Sequence, residues 1–407
     1  MKWVLIIVLL HSTISAARLP GRPDSASDVA SGGAQAATLE SESSRHHRSL
    51  QQDTTLRTLP NQTIELMDAK IASFSPCLGV NWELLWSDEF NDYASAAVDP
   101  AKWSYQTGDG SQYGIPGWGN DELQYYTERS SNLYVQDGKL IIQAQRESGE
   151  NSDWMYKKCL NECEYRCNLE GKTKTDDISG CVQTCSVPRC DEIKATGATS
   201  ARIRTFGKLA VVPSEDYPSV RIEASVKLPR GVGLWPAFWM LPEQSPSNCS
   251  GCGRYGKWPA SGEIDIFEAA NDMSNIQGTL FYGAEGEVQQ YSGNGGPAPV
   301  DVFQTIALEW DYEQMRWFID DRQFMQADSA AKLNSMGIPG GWYTKTGQGN
   351  APFDAAFYLI LNLAVGGNYP NADPAATLAD LSLGAKKMEV DYIRVCGKAA
   401  TPSETHL

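Results

Sequence analysis

Histidine is almost absent from this chain. Its 407 residues hold four, His11, His46, His47 and His406, and none lies between positions 48 and 405. A Ser-His-Asp or Cys-His nucleophilic system has no base in that long interior, and a zinc or iron site has no imidazole ligands there. Positive charge is also scarce. Lys and Arg number 34 against 50 Asp and Glu, a net charge of −16, which repels nucleic-acid phosphates. After "WVLIIVLL" near the start, no apolar run is long enough to cross a bilayer. No glycine loop of the P-loop or dinucleotide type occurs, and no repeat of about 20–50 residues is visible. Any catalysis must therefore rest on carboxylates, helped by Tyr, Lys or a calcium ion.

Hydrophobic residues make up 42% of the chain, with 12 Trp and 17 Tyr, enough to build a core. Lys2, the apolar "WVLIIVLL" and the small residues Ser15 and Ala17 read as a secretory signal peptide over residues 1–17. A secreted, extracellular protein is expected. Residues 18–76 are rich in Ser, Ala, Gly, Arg and Gln and read as a disordered or pro-region. A globular domain is expected over 77–397, followed by a tail over 398–407.

The ten cysteines suit an oxidising compartment. Cys159, Cys163, Cys167, Cys181, Cys185 and Cys190 cluster in a segment near 150–195. Their spacing of about four residues places them along helix faces, and with no His nearby and an oxidising compartment this insert reads as a disulfide-stapled helical hairpin rather than a metal site. Cys249 and Cys252 form a C-x-x-C without a βαβ context and read as a loop clip. Cys77 and Cys396 remain, and pairing them would tie the domain's ends together. Asn61 and Asn248 sit in N-x-S/T sequons.

Strand-like runs dominate the globular part: "GKLIIQAQ", "SVRIEASVKL", "LWPAFWML", "GEIDIFEAA", "TIALEW", "RWFID", "AFYLILNLAV" and "KMEVDYIRVC". They alternate or run apolar and are bounded by Gly, Pro, Asn and Asp, which predicts an all-β sandwich with insertions.

"GEIDIFE", residues 262–268, carries Glu263, Asp265 and Glu268. Acids are poor strand residues, so three so close together need a reason. Alternation places Glu263 and Asp265 on one face and Glu268 on the other. A β-bulge at Ile266–Phe267 would reset the alternation and bring Glu268 to the same face. Ile264 and one of Ile266 or Phe267 would then pack into the core. Paired carboxylates split in proton affinity, which is what cleavage of a glycosidic bond requires.

With these residues the chain resembles glycoside hydrolase family sixteen, in its bulged, laminarinase-like branch, whose signature is E-x-D-x-x-E. "GWGNDELQYYT" (117–127), "SARIRT" (200–205), "RIEASVKLPRGVGLWPAFWMLP" (221–242), "FYLILNLAVGGN" (357–368) and "VDYIRV" (390–395) match in the expected order. The resemblance covers about residues 80–396 except the cysteine-rich insert. It implies a β-jelly-roll of two antiparallel sheets with a concave substrate groove, and retaining endo-hydrolysis of β-1,3-glucan. No cofactor is implied for the chemistry. The expected partner is a polysaccharide, not nucleic acid or membrane, and the expected state is a monomer.

Carried over residue by residue, Glu263 resembles the nucleophile, Glu268 the general acid/base, and Asp265 the group that bonds the nucleophile. Trp235, Trp239 and Trp258 resemble sugar-stacking residues, whose N–H groups can also bond hydroxyls. Asn120 and Arg202 match positions that bond sugar hydroxyls, Trp118 matches less closely, and Glu122 and Tyr125 read as wall or scaffold. A structural calcium is implied at Glu89, the Gly138 carbonyl and Asp391, an oxygen-only set. Phe281 departs from the pattern, since related sequences often carry His there. Two other readings are a non-catalytic β-glucan-recognition protein, whose kind typically lacks the carboxylates, and a transglycosylase or hydrolase of another polysaccharide.

Overall fold

The run "FYLILNLAV" has one polar residue in nine, Asn362, and forms a strand buried on both faces. Such a run belongs at the centre of a covered sheet. The computed structural model describes residues 77–91 apart from 78 and 80, 97–169, 189–243 and 251–400, with the backbone alone for 162–169. The expected signal peptide and pro-region lie outside these residues, as do both sequons, Cys181, Cys185, Cys249, the side chains of Cys163 and Cys167, and most of the tail.

The strands are β1 (Glu83–Asp88), β2 (Ser104–Tyr105), β3 (Tyr125–Tyr126), β4 (Leu133–Gln136), β5 (Lys139–Arg146), β6 (Ala198–Ser200), β7 (Arg202–Arg204), β8 (Ser219–Lys227) and β9 (Leu234–Pro242). They continue as β10 (Glu263–Ala269), β11 (Ile276–Ala284), β12 (Glu287–Gly296), β13 (Gln304–Asp311), β14 (Gln314–Ile319), β15 (Arg322–Asp328), β16 (Phe357–Val365) and β17 (Lys386–Lys398). Among the described residues the α-helices are α1 (Glu150–Leu169), α2 (Ala330–Ser335) and α3 (Pro374–Ser382), with a further helical segment over 189–196. Helix α3 begins where Asp373 accepts the Ala376 N–H at 3.0 Å and Pro374 takes the first turn.

Two sheets form, as expected for a β-sandwich. One has ten strands, with the path β15-β14-β13-β8-β17-β5-β6-β3 and with β1 on β17 and β4 on β5; the other has seven, in the order β12-β11-β10-β9-β16-β7-β2. All pairings are antiparallel except β3 with β6. Alternate residues of facing strands fill the space between the sheets. Val220, Ile222, Ala224 and Val226 of β8 and Ile306, Leu308 and Trp310 of β13 join Phe238 and Met240 of β9 and Leu359, Leu361 and Leu363 of β16 in one core. All eight runs read as strands are strands. Strand β12, "EVQQYSGNGG", was not anticipated: it is mostly exposed and glycine-rich, so it shows no apolar alternation.

The predicted bulge is present. Asp265 pairs with Thr279 and Glu268 with Gln277, so Ile266 and Phe267 together face the single residue Gly278. Both bulged side chains are fully buried in the core, rather than one of them. Gly278 has a physical reason to lack a side chain. A Cβ there would lie 2.6 Å from Cδ1 of Trp317, which reaches across from β14 and donates its indole N–H to the Asp265 carbonyl at 2.9 Å. That carbonyl sits at the register break, and the opposite sheet supplies its donor.

The ends of the domain are tied by Cys77–Cys396, with Cα atoms 5.5 Å apart across 319 residues of chain. Cys159–Cys190 staples α1 to the helical segment 189–196, and Met155 and Ile193 pack with both cysteines against Tyr125. Cys252 is also disulfide-bonded.

Gly278→Ala is expected to destabilise the protein by about 1–3 kcal/mol through overpacking against Trp317. In urea unfolding, Gly278→Ala combined with Trp317→Phe should cost less than the two single changes added, because they share one contact. Strict additivity would show that Gly278 and Trp317 do not meet.

Candidate active site

The bulge turns Glu263, Asp265 and Glu268 to the face of the seven-stranded sheet that lies away from the core, while Ile264, Ile266 and Phe267 turn inward. Three indoles then hold this strand. Trp258 donates its N–H to Glu263 Oε2 at 2.8 Å, Trp235 donates to Glu268 Oε1 at 2.9 Å, and Trp317 binds the Asp265 carbonyl from behind. Asp265 is only 1% exposed and hydrogen-bonds Glu263. Its Oδ2 faces no N–H or hydroxyl donor, an arrangement satisfied when Asp265 carries a proton and donates it to Glu263.

Electrostatics separate the three groups. Burial pushes the Glu263 carboxyl up to about 7, countered by the Trp258 N–H, the Arg202 charge and the bond from Asp265. Burial pushes Glu268 up to about 8, reinforced by the charges of Glu263 and Glu122 and opposed by the Trp235 N–H. Burial and both neighbouring glutamates raise Asp265 well above the usual carboxylate range. On acidification Glu268 takes its proton before Glu263, so the arrangement favours an ionised Glu263 beside a protonated Glu268.

Around the acids lies an aromatic floor. Trp235 stacks on Tyr369 with ring centroids 5.1 Å apart, and Trp258 lies 5.6 Å from Phe281, the residue that pairs with Glu263 across the ladder. Trp239 donates to Asn362 Oδ1 at 2.7 Å, Asn362 donates to the Tyr126 hydroxyl at 3.1 Å, and that hydroxyl donates to Glu122 Oε2 at 3.4 Å. The indole N–H groups of Trp235, Trp239 and Trp258 are thus engaged within the protein. Their partly exposed rings are what the site offers. Arg202 is 4% exposed, with its guanidinium between the rings of Trp118 at 4.3 Å and Trp239 at 4.7 Å. Its Nε donates to Gln106 Oε1 at 2.8 Å, and its charge favours an ionised Glu263. Asn120 is half-buried and its amide faces Glu122 Oε1 at 3.5 Å. Tyr125 is fully buried and belongs to the scaffold under the insert.

Sequence reasoning did not single out Tyr369, Gln277 or Asn362. Tyr369 donates to Gln277 Oε1 at 3.1 Å, and its hydroxyl is raised first by burial and then by the charges of Glu268 and Asp265. It directly follows "NLAVGGN", whose glycines hint at a close approach. Gly367 has φ +97°, and a Cβ there would stand 3.3 Å from both Glu122 Cγ and Trp235 Cζ3.

The calcium set implied by resemblance does not fit as it stands. Glu89 accepts from Arg394 Nε at 2.8 Å and from a terminal guanidinium nitrogen of Arg394 at 2.7 Å, so both its oxygens already face a cation of the chain. Asp391 lies near Lys139 and Arg394 as well as Glu89. Among the described residues no cluster of three or more His, Cys, Asp or Glu is arranged for a metal.

Residues 186–342 match Glycosyl hydrolases family 16. The chain is 31% identical to a glucan endo-1,3-beta-glucosidase of Cryptopygus antarcticus, over 77% of this chain and 91% of that one. It is 33% identical to glucan endo-1,3-beta-glucosidase A1 of Niallia circulans, covering 77% of this chain but spanning only 37% of that longer protein. The solved structure of the laminarinase of Rhodothermus marinus superposes with a TM-score of 0.52 at 31% identity, over 78% of this chain and 98% of that one.

The raised carboxyls imply a pH dependence of stability. Between the unfolded values near 4.5 and about 7 for Glu263 or about 8 for Glu268, the folded protein holds protons that the unfolded chain has lost. Stability therefore falls as pH rises through that window. Urea midpoints at about pH 5 and about pH 9 should differ less for Glu268→Gln than for the parent. Equal differences would show that Glu268 gains no proton affinity on folding.

Proposed function

Since this chain belongs to glycosyl hydrolases family 16, we propose that it is an endo-acting β-1,3-glucanase that cleaves laminarin-like or cell-wall glucan with retention of configuration. The observation that carries the reading is the bulged strand, which gathers Glu263, Asp265 and Glu268 on one face with an indole N–H on each glutamate. A glucan-recognition protein would have no use for three buried acids, whose desolvation is costly.

The chemistry follows from the proton order. Glu263, ionised, attacks the anomeric carbon and forms a glycosyl-enzyme ester, while Glu268 gives its proton to the departing glycosidic oxygen. Glu268, now a carboxylate, takes a proton from water. The resulting hydroxide equivalent attacks the same carbon, and Glu263 leaves with its electron pair. Asp265 keeps a hydrogen bond on Glu263 and steadies it as nucleophile and as leaving group. Sugar rings lie with their C–H faces on Trp235, Trp258 and Tyr369. Asn120 offers its amide to hydroxyls. Secretion fits the disulfide-bonded Cys77, Cys159, Cys190, Cys252 and Cys396, and the chain acts as a monomer on a polysaccharide.

Reducing-sugar release on laminarin, mixed-linkage glucan, xyloglucan, agarose and carrageenan tests substrate and reaction together. Laminarin should be cleaved to oligosaccharides; cleavage of agarose or xyloglucan alone would overturn the reading. Glu263→Ala should lower kcat by at least about 10³-fold without unfolding the protein. With azide and an activated β-glucosyl donor it should form the inverted α-glycosyl azide. A β-azide, or turnover close to the parent's, would remove Glu263 from the nucleophile's role.

For the parent enzyme, kcat/KM should rise as Glu263 ionises near 7 and fall as Glu268 loses its proton near 8. An alkaline limb that persists unchanged in Glu268→Gln would assign it to another group.

A further inference from the structure

One side chain of the cysteine-rich segment reaches the loop that leads into the site. Arg189 lies in the helical segment 189–196. Its Nε donates to Asp109 Oδ2 at 2.7 Å, one terminal nitrogen donates to Glu192 Oε2 at 2.8 Å, and the other donates to the backbone carbonyl of Glu122 at 3.1 Å. Asp109 and Glu122 stand at the two ends of the loop that carries Trp118 and Asn120. One guanidinium thus ties both ends.

That loop needs holding. Trp118 adopts φ 54°, a left-handed conformation that is costly for a bulky residue. Its backbone N–H donates to the Asp109 carbonyl at 3.1 Å and its indole to the Gly108 carbonyl at 3.3 Å. Its ring forms one side of the Arg202 sandwich. Asp109 is 2% exposed and also accepts from the Ser111 backbone and hydroxyl at 3.1 and 2.9 Å. Without Arg189 it would be a buried carboxylate lacking its counter-charge. Next to Arg189, Cys190 is bonded to Cys159 and packs with Met155 and Ile193 on Tyr125, so the arginine is anchored on a stapled base.

We propose that Arg189 is a positioning residue for glucan binding, through which the insert holds the loop bearing Trp118, Asn120 and Glu122 in the shape that receives the sugar chain. The inference rests on the proposed glucanase reading. Arg189 bonds none of Glu263, Asp265 and Glu268, so its loss acts on binding more than on bond cleavage. Lysine cannot replace it fully, because one ammonium lacks the planar fork that spans Asp109 and the Glu122 carbonyl.

Two measurements separate this proposal from the function it rests on. Hydrogen exchange, which needs no ligand, should show faster exchange of amides 108–122 in Arg189→Ala, with Arg189→Lys between it and the parent. On laminarin, Arg189→Ala should raise KM about tenfold with kcat within about threefold. In the Glu263→Ala background, Arg189→Ala should weaken calorimetric binding of laminarihexaose by a similar factor. Should Arg189→Ala fail to fold, Arg189→Lys carries the same tests with smaller effects. Unchanged exchange in 108–122 overturns the proposal, as does faster exchange with KM and laminarihexaose affinity unaltered, or a fall in kcat at constant KM. A parent protein that releases no sugar from laminarin defeats the proposed function, while the exchange result still decides whether Arg189 holds the loop.

Discussion

One extra residue in β10 governs the site. A strand cannot place residues 263, 265 and 268 on one face by alternation alone, and it cannot bury 264, 266 and 267 together on the other. The bulge at Ile266–Phe267 does both at once. Its cost is a break in the ladder, and the answer to that break comes from elsewhere in the chain. Trp317 crosses the core to the Asp265 carbonyl, and Gly278 leaves room for it. The two bulged side chains, fully buried, add apolar burial to the balance, of the order of 1.5–3 kcal/mol for a large side chain. The geometry of the acids is thus fixed by the sandwich core beneath them rather than by the surface they face.

The same burial that stabilises the bulge creates the chemistry. Three carboxyls in a poorly hydrated place cannot all stay ionised, so the surroundings decide which holds a proton. Glu263 has the indole of Trp258, a bond from Asp265 and the buried charge of Arg202 on its side. Glu268 has the indole of Trp235 but faces the charges of Glu263 and Glu122. The difference between the glutamates comes from which neighbours each one has. The indole N–H groups of Trp235 and Trp258 stay with the acids and that of Trp239 with Asn362, so what the three tryptophans leave open is their ring faces.

Around this centre two of the disulfides act at different scales. Cys77–Cys396 closes a loop of 319 residues and limits the freedom of the unfolded chain, an effect that grows with loop length. Cys159–Cys190 acts locally, holding two helical pieces together where Arg189 leaves the insert for Asp109 and Glu122. The insert is joined to the scaffold by an apolar cluster around Tyr125 and by a charged fork, so its position and that of the Trp118 loop are linked.

Much of this was legible beforehand, for local reasons. Alternation and apolar runs marked eight strands, because side-chain parity follows directly from backbone geometry. The crowding of acids in "GEIDIFE" demanded a bulge, because parity forbids their meeting otherwise. Cysteine parity and position pointed to the Cys77–Cys396 tie. Strand β12 escaped because an exposed edge strand buries nothing that composition could reveal. The partners of the acids escaped for another reason. Nothing local says that Trp317, 52 residues beyond Asp265, donates to its carbonyl, that Tyr369 stacks on Trp235, or that Arg394 sits on Glu89 where a calcium was expected. The sequence by itself determined which residues alternate, which acids crowd together and where the strands run. Only the tertiary structure decided which indole meets which carboxylate and which acid keeps its proton, because desolvation and hydrogen bonding depend on neighbours that the chain brings together from far apart.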